Sequence, residues 1–472
     1  MERRGDDLLA EVLVNPMFRA GAVPLALLLV LGGAAATGAR AEEGTEKTAE
    51  TRPAADLLME TLDPALAALV AEVLERNPDL ARLRSSAEAA AARAPQMRSL
   101  PDPMASVTAF LLSPETRVGP QQAAATVSQR FPWFGKLELR ERQALLAAAA
   151  ARAEVEAKRL ALVTETRRLG YELAFLAVQE RVLRDDRATL GHYEELARAR
   201  YASGVGLEQA VIKLQAEITR DDTRLLDLAN RRAALVASLD VLRDRPAGAP
   251  LPELSLSVDA ATPVELDVAA LRQLALANRP EIERARSLIA AAETGVDLAK
   301  KESRPDLTVG LGYTLVGKRR DAAGRAMPPP DNGNDVLGVT LGFSLPVWRE
   351  RIAAGVAESS ARSVAAEDEL RAVVARISGD LDELAARLPL IHDQLELFEN
   401  VLATQAEEAL RSAEGGYAAG SASALDLLDA ERVQLEVRIA TARSRADYLI
   451  TRSRLEGVVG APLSTEKDGG AQ

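Results

Sequence analysis

Two hydrophobic patterns alternate along the chain. In the first, apolar side chains recur in narrow, drifting stripes, as at Leu207, Val211, Leu214 and Ile218 and again at Leu425, Leu428, Val433, Leu435 and Ile439. That is the spacing of helices packed side by side in a curved wall. In the second, apolar residues alternate with Gly, Ser or Thr, most clearly over 307–315 and 339–345. That is the period of a strand with one apolar face. The helical pattern predicts two very long helices at 136–200 and 350–417, the first about 98 Å long if continuous. Pro389 is expected to kink the second. Shorter partners are expected at 64–98, 207–242, 266–303 and 423–458, about 55 Å each, so that two stacked end to end match one long helix. The alternating pattern predicts four strands in two pairs, 103–113 with 121–131 and 305–317 with 335–346.

These elements come in the same order twice. Asn77-Pro78, Leu100-Pro101, Phe131-Pro132 and Tyr201-Ala202-Ser203-Gly204 are answered by Arg279-Pro280, Arg304-Pro305, Leu345-Pro346 and Tyr417-Ala418-Ala419-Gly420. The offset is 202 at the first proline, 204 at the second, 214 at the third and 216 at the tyrosine. Nearly all the slippage falls between the second and third prolines, where residues 317–334 carry Lys318, Arg319, Arg320, Asp321 and Pro328-Pro329-Pro330. Length variation confined to one place marks an exposed loop in a constrained unit. The expected organisation is therefore a leader at 1–41, an N-terminal extension at 42–60, a first repeat at 61–244, a Pro/Gly linker at 245–263, a second repeat at 264–460 and a tail at 461–472.

Composition agrees with long packed helices. Only 3% of residues are aromatic, so the chain buries narrow seams rather than a thick core. There is no cysteine, which excludes disulfides, thiolate metal sites and a lipid-modified N-terminal cysteine. A net charge of -12 speaks against nucleic acid as a partner, since that affinity rests on neutralising phosphates. The apolar run at 23–31 is too short to span a bilayer and precedes Ala39-Arg40-Ala41, the small-x-small pattern of a cleaved export signal. The acidic residues Glu2, Asp6, Asp7 and Glu11 suit a signal badly, and Met17 is the expected start of translation. A membrane-anchored N-terminus is the alternative.

No later stretch is long and apolar enough to be a transmembrane helix, so entry into a membrane would have to be as β-structure. The strands match the roughly 9–11 residues of a tilted transmembrane strand. They could equally be soluble hairpins packed on the helices. Four strands cannot close a barrel, and an open edge in lipid leaves backbone groups unpaired. A membrane reading therefore requires an oligomer, and three copies would supply twelve strands around a water-filled interior.

The motifs resemble those of the TolC-like outer-membrane efflux proteins, with features of the branch that serves heavy-metal pumps. The resemblance covers about residues 60–460, in duplicate, and rests on the prolines above, on Gln129-Arg130-Phe131-Pro132-Trp133-Phe134-Gly135-Lys136, on Arg304-Pro305-Asp306-Leu307 and Phe343-Ser344-Leu345-Pro346-Val347, and on Leu425-Asp426-Leu427-Leu428-Asp429-Ala430 after the second Tyr-Ala-x-Gly. Pro101-Asp102-Pro103-Met104 together with Phe131-Pro132-Trp133-Phe134-Gly135-Lys136 carries the heavy-metal likeness within this resemblance. It implies a mostly α chain with a membrane β-barrel, in which duplicated long-helix hairpins and four strands per subunit build a trimeric α-barrel/β-barrel duct. It further implies a homotrimer in the outer membrane with a large periplasmic portion, working with a periplasmic adaptor and an inner-membrane pump, without cofactor or catalysis. The cargo would be metal cations or other small molecules, with a polypeptide as a third choice. A periplasmic coiled-coil adaptor or scaffold without channel activity is the alternative from another class.

By the same resemblance Tyr201, Gly204, Tyr417 and Gly420 would lie at adaptor-docking hairpin tips, although tight helix-to-helix turns need such glycines anyway. Asp426 and Asp429, at i and i+3, would ring the periplasmic entrance with acid; by spacing alone they could simply complement a helix N-terminus. The first repeat has Ala210 and Lys213 at the equivalent places, and Ala422 stands where some relatives carry a basic latch residue. His192 and His392 occupy non-equivalent positions without ligand-spaced neighbours and read as surface or wall residues rather than metal ligands.

Overall fold

A computed structural model describes residues 53–256 and 266–463. The leader at 1–41, most of the N-terminal extension, residues 257–263 of the linker and residues 464–472 of the tail lie outside the described residues. The first repeat runs α1 (Ala54–Met59), α2 (Pro64–Arg76), α3 (Pro78–Arg98), β1 (Met104–Ala109), β2 (Glu115–Thr116), β3 (Gly119–Phe131), α4 (Lys136–Ala202) and α5 (Glu208–Leu242). The second runs α6 (Val268–Asn278), α7 (Pro280–Lys301), β4 (Leu307–Val316), α8 (Ala322–Ala326), β5 (Val336–Phe343), α9 (Arg349–Glu396), a π-helical turn (Leu397–Leu402), α10 (Ala403–Ala419) and α11 (Ala424–Val459).

Each opening helix expected at 64–98 and 266–303 is in fact two. A residue before proline is pushed out of the helical region, and Asn77 and Arg279 both sit at ψ 120. Asn77 uses the break: its side chain accepts from Leu80 N–H at 3.0 Å and donates to the Leu242 carbonyl at 2.9 Å. It caps α3 and ties down the end of α5 together. Arg279 does the second job by other chemistry, donating to the Gly457 carbonyl at 2.7 Å near the end of α11. The second long helix continues through Pro389, and its regular bonding changes at Leu397–Leu402 instead. The wider turn there takes up added length without breaking the rod, in the helix across which the repeat offset grows from 214 to 216. In the extension, Ala55 and Leu58 are buried in one cluster with Leu69, Val70 and Leu169, so α1 belongs to the helical wall.

The helices bury four separate seams instead of one core, as few aromatics and abundant alanine dictate. The four longer strands form one antiparallel sheet in the order β1-β3-β4-β5, with β3 and β4 joining the two repeats. Register places Val127 beside Leu311 and Leu311 beside Val339, while Thr126 lies beside Gly312 and Gly312 beside Gly338. One face is thus apolar and the other is Ser, Thr and Gly. The apolar face is bare: Val107, Leu337, Val339, Leu341 and Phe343 are 81%, 66%, 71%, 63% and 61% exposed. The loop after β4 folds back on the β2–β3 turn, where Gly333 N–H meets the Val118 carbonyl at 2.7 Å and Arg117 pairs with Asp331. It also contains the short helix α8.

One carboxylate joins sheet to helices. Asp306, between α7 and β4, accepts from Lys136 Nζ at 2.9 Å, from the Trp133 backbone N–H at 3.0 Å and from Arg130 Nε at 3.2 Å. Its own N–H donates to Ser344 Oγ at 2.7 Å, and its carbonyl accepts from Ser344 N–H at 3.0 Å. The ends of β3 and β5 and the starts of β4 and α4 therefore meet at one residue. Burial alone would raise this carboxyl, but Lys136, the Trp133 N–H and Arg130 outweigh it and hold it at about 2. Asp306→Ala leaves Lys136, only 2% exposed, with Glu302 at 3.5 Å as its remaining charge partner. We expect a loss of about 3 kcal/mol, read by denaturant unfolding of the detergent-solubilised protein. Because the folded pKa is depressed, the Asp306 contribution is complete above the ordinary carboxylate value of 3.8 and is lost as pH falls towards about 2.

Candidate functional site

The two hairpin tips are built alike. In the first, Val205 and Gly206 N–H both donate to the Arg200 carbonyl at 3.0 Å; in the second, Ser421 and Ala422 N–H both donate to the Gly416 carbonyl, at 2.9 and 3.0 Å. Gly204 and Gly420 take φ of 78° and 79°, where a side chain is strained. A Cβ at either would meet nothing within 4 Å, so the backbone alone demands these glycines.

A second glycine in each turn has changed places. A Cβ on Gly206 would fall 2.9 Å from the Tyr201 backbone N and 3.1 Å from both the carbonyl carbon and the Cβ of Arg200, and one on Gly416 would fall 3.0 Å from the Cβ of Ala422. Arg200 corresponds to Gly416 and Gly206 to Ala422 at the 216-residue offset. This pair of positions is crowded in both repeats, against backbone and the Arg200 Cβ in the first and against the Ala422 Cβ in the second, and each repeat places its side chain at a different one of the two. The first uses the freedom to carry Arg200, whose guanidinium lies 4.0 Å from the centre of the Tyr417 ring and donates to the Tyr417 carbonyl at 2.6 Å. The two tips of one subunit are clamped together there.

The two tyrosines consequently differ. Tyr201 is 47% exposed, but Tyr417 is 7% exposed, in a seam with Leu190, Leu214, Leu427 and Leu428. Tyr201 is open to solvent, whereas the Tyr417 ring packs inside its own chain. Its burial follows from Arg200 and α4, which its local sequence does not reveal.

The acidic pair also divides. The Ser423 N–H donates to Asp426 Oδ2 at 2.8 Å, and Asp426 N–H donates to Ser423 Oγ at 3.3 Å, a reciprocal capping box that starts α11. The same Ser423 N–H and hydroxyl lower the Asp426 pKa, so this exposed residue is charged as well as structural. Asp429, 76% exposed at its side chain, lies 3.6 Å from Arg432 Nη1, and Arg432 reaches across to Glu217 of α5. The α5 helix has Leu207 at its N-cap, without a side-chain cap, and carries Glu208 in its first turn; Ala210 and Lys213, at the places of Asp426 and Asp429, add no acid. The reciprocal capping box is confined to one hairpin per chain.

Neither histidine joins this site. His192 is exposed, while His392 is buried with its ring 5.8 Å from that of Tyr448. His392, Asp393 and Glu396 bring ligand atoms within 4.8 Å of one another, with both carboxylates exposed. No helix among the described residues is long and apolar enough to cross a membrane.

The arrangement has known counterparts. A family model described as "Outer membrane efflux protein" matches residues 69–243 and 271–461. The outer membrane protein TolC of Escherichia coli (strain K12) is 25% identical over 198 residues, 38% of this chain and 39% of that protein. The chain thus aligns with well under two thirds of that relative. Among solved structures, the outer membrane protein VceC of Vibrio cholerae superposes with a TM-score of 0.68 at 21% identity, covering 84% of this chain and 97% of that one. CusC, whose structures concern transmembrane channel formation, gives 0.69 at 16%, covering 85% and 93%. At these identities the structural likeness is one of fold.

The glycine exchange is directly testable. Gly420→Ala should cost about 1–2 kcal/mol from positive φ alone. Gly416→Ala should forfeit the roughly 1 kcal/mol that alanine normally adds inside a helix, and Ala422→Gly in the same chain should restore it. A double-mutant cycle followed by thermal unfolding would give a coupling of about 0.5–1 kcal/mol.

Proposed function

The chain belongs to the outer membrane efflux protein family, and on that premise we propose that it is the outer-membrane duct of a tripartite efflux pump. Three copies join their sheets into a twelve-stranded barrel, and their helices form a tube reaching through the periplasm. The supporting observation is the sheet itself. Its apolar face is bare, and β1 and β5 each end in an unpaired edge. In lipid each unpaired backbone group costs several kcal/mol, so the edges must meet other copies. Strand directions alternate across β1-β3-β4-β5, so the β5 of one copy runs antiparallel to the β1 of the next and the pattern continues without a break. A soluble scaffold would have to cover this face, and nothing among the described residues does so.

In this duct the tips face an adaptor protein that connects to an inner-membrane pump. Tyr201, Gly204 and Gly420 are the surface of that contact, with Tyr417 holding them from beneath. The trimer brings Asp426 and Asp429 into rings at the entrance, where a low-dielectric constriction magnifies their field. Such an entrance draws cations and repels anions. Arg432 partly offsets Asp429, leaving Asp426 the stronger ring. The cargo is small, with metal cations preferred through the Pro101-Asp102-Pro103-Met104 resemblance; the duct itself is passive and needs no ligands for them.

Single-channel recording in a planar bilayer tests the assignment. The purified protein should form a cation-selective pore, and Asp426→Asn should reduce that selectivity more than Asp429→Asn. Folded protein that never inserts would refute the duct; insertion with unchanged selectivity in both variants would refute the acidic entrance.

A further inference from the structure

Roughly 10–25 Å back from the tips, at about 1.5 Å per residue, the two hairpins bury carboxyl groups against each other. Asp186 of α4, Asp221 of α5 and Glu431 of α11 are 4%, 1% and 6% exposed. One oxygen of each, Asp186 Oδ1, Asp221 Oδ2 and Glu431 Oε2, is buried without a hydrogen-bond partner. Asp186 stands in the middle, within hydrogen-bonding reach of both others. Two carboxyls can bond to each other only with a proton between them.

The surroundings do not neutralise three charges. From α5, Arg224 Nη1 bonds Asp221 Oδ1 at 2.9 Å, and its side chain is 45% exposed. Glu217, also of α5, is engaged by Arg220 and by Arg432 of α11. Arg438 of α11 lies 3.7 Å from Asp185 of α4, at the rim. Tyr193 of α4 donates its hydroxyl to Glu414 of α10 at 2.6 Å, adding an acid and no cation. A metal would need oxygens converging on one point, and among the described residues the group that does so is His392, Asp393 and Glu396. Protons are the remaining counter-charge for a dry, strung-out row of acids.

We propose that Asp186, Asp221 and Glu431 form a proton-holding clasp between the two hairpins: protonated, it ties α4 and α5 to α11, and as protons leave, repulsion in the buried seam parts the hairpins behind the entrance. The clasp stands on the single chain, and its effect on passage rests on the duct reading. Burial pushes Asp186 up to about 6 although the Asp221 contact lowers it, burial and then the Asp186 contact push Asp221 up to about 7, and burial raises Glu431 against the lowering contact of Asp186. With folded values above the unfolded ones, the clasp is complete below the ordinary carboxylate range and is lost as pH rises through about 6 to 7.

The test uses the full-length protein in detergent, compared at about pH 5 and about pH 8 after correction for intrinsic exchange. Amide exchange in α5 and the first half of α11 should quicken with pH, by up to about tenfold per unit for each proton released. Infrared difference spectra should show a protonated-carboxyl band at the lower pH that vanishes at the higher. Asp186→Asn with Asp221→Asn and Glu431→Gln should remove the band and hold α5 protected at both pH values. If the triple variant does not fold, Asp221→Asn alone should flatten the pH slope. Wild-type protection that does not change with pH, or a band that survives the substitutions, would overturn the clasp. Neither readout involves cargo, so failure here is distinct from failure of the duct.

Discussion

A sheet in lipid cannot have an edge, because the hydrocarbon offers no partner for a free backbone N–H or C=O. The rest of this molecule is arranged around that constraint. One chain supplies four long strands with an apolar face and two open sides, too few to close and too apolar to leave in water. Closure must come from copies. The Asp306 knot makes such closure useful, since it fixes the strand ends to the start of α4 and to the segment after α7. Whatever circle the strands adopt, the long helices must follow it.

The helical part obeys a different economy. A wall one helix thick has no deep interior, so its stability lies in separate seams and in polar fastenings at helix ends. Duplication gives the same fastening points twice, but the chemistry at each has diverged. Asn77 and Arg279 secure the same junction by an amide and by a guanidinium. Gly206 and Gly416 relieve the same crowding from opposite sides. Asp426 caps one returning helix, whereas the other starts uncapped. The result is a subunit whose two hairpins share a backbone geometry and differ in how the returning helix is capped.

Much of this was legible in the sequence, for identifiable reasons. Prolines and glycines act through their own backbones, so the repeat, the strand ends and the tip turns could be located from them. Alternation over 307–315 and 339–345 reports directly on the two faces of a strand. Helical spacing continues across Asn77 and masks the break there, although Asn77-Pro78 itself signals one. Burial of Tyr417, the exchanged glycines and the row of Asp186, Asp221 and Glu431 depend on neighbours tens to hundreds of residues away. No local pattern exposes them, although the glycine exchange shows in the two repeats once they are superimposed at the 216-residue offset. Lys136 and Asp306 both lay in recognised motifs, but their pairing across 170 residues was invisible until the chain was folded.

The most direct test of closure by copies exploits the absence of cysteine. A chain carrying Val107→Cys on β1 and, in turn, Leu337→Cys, Val339→Cys or Leu341→Cys on β5 is oxidised in the membrane and run under denaturing, non-reducing conditions. Edge-to-edge closure predicts that one of these pairs yields covalent species that stop at three chains. No cross-linked product from any pair, or a ladder that climbs past three, would contradict it.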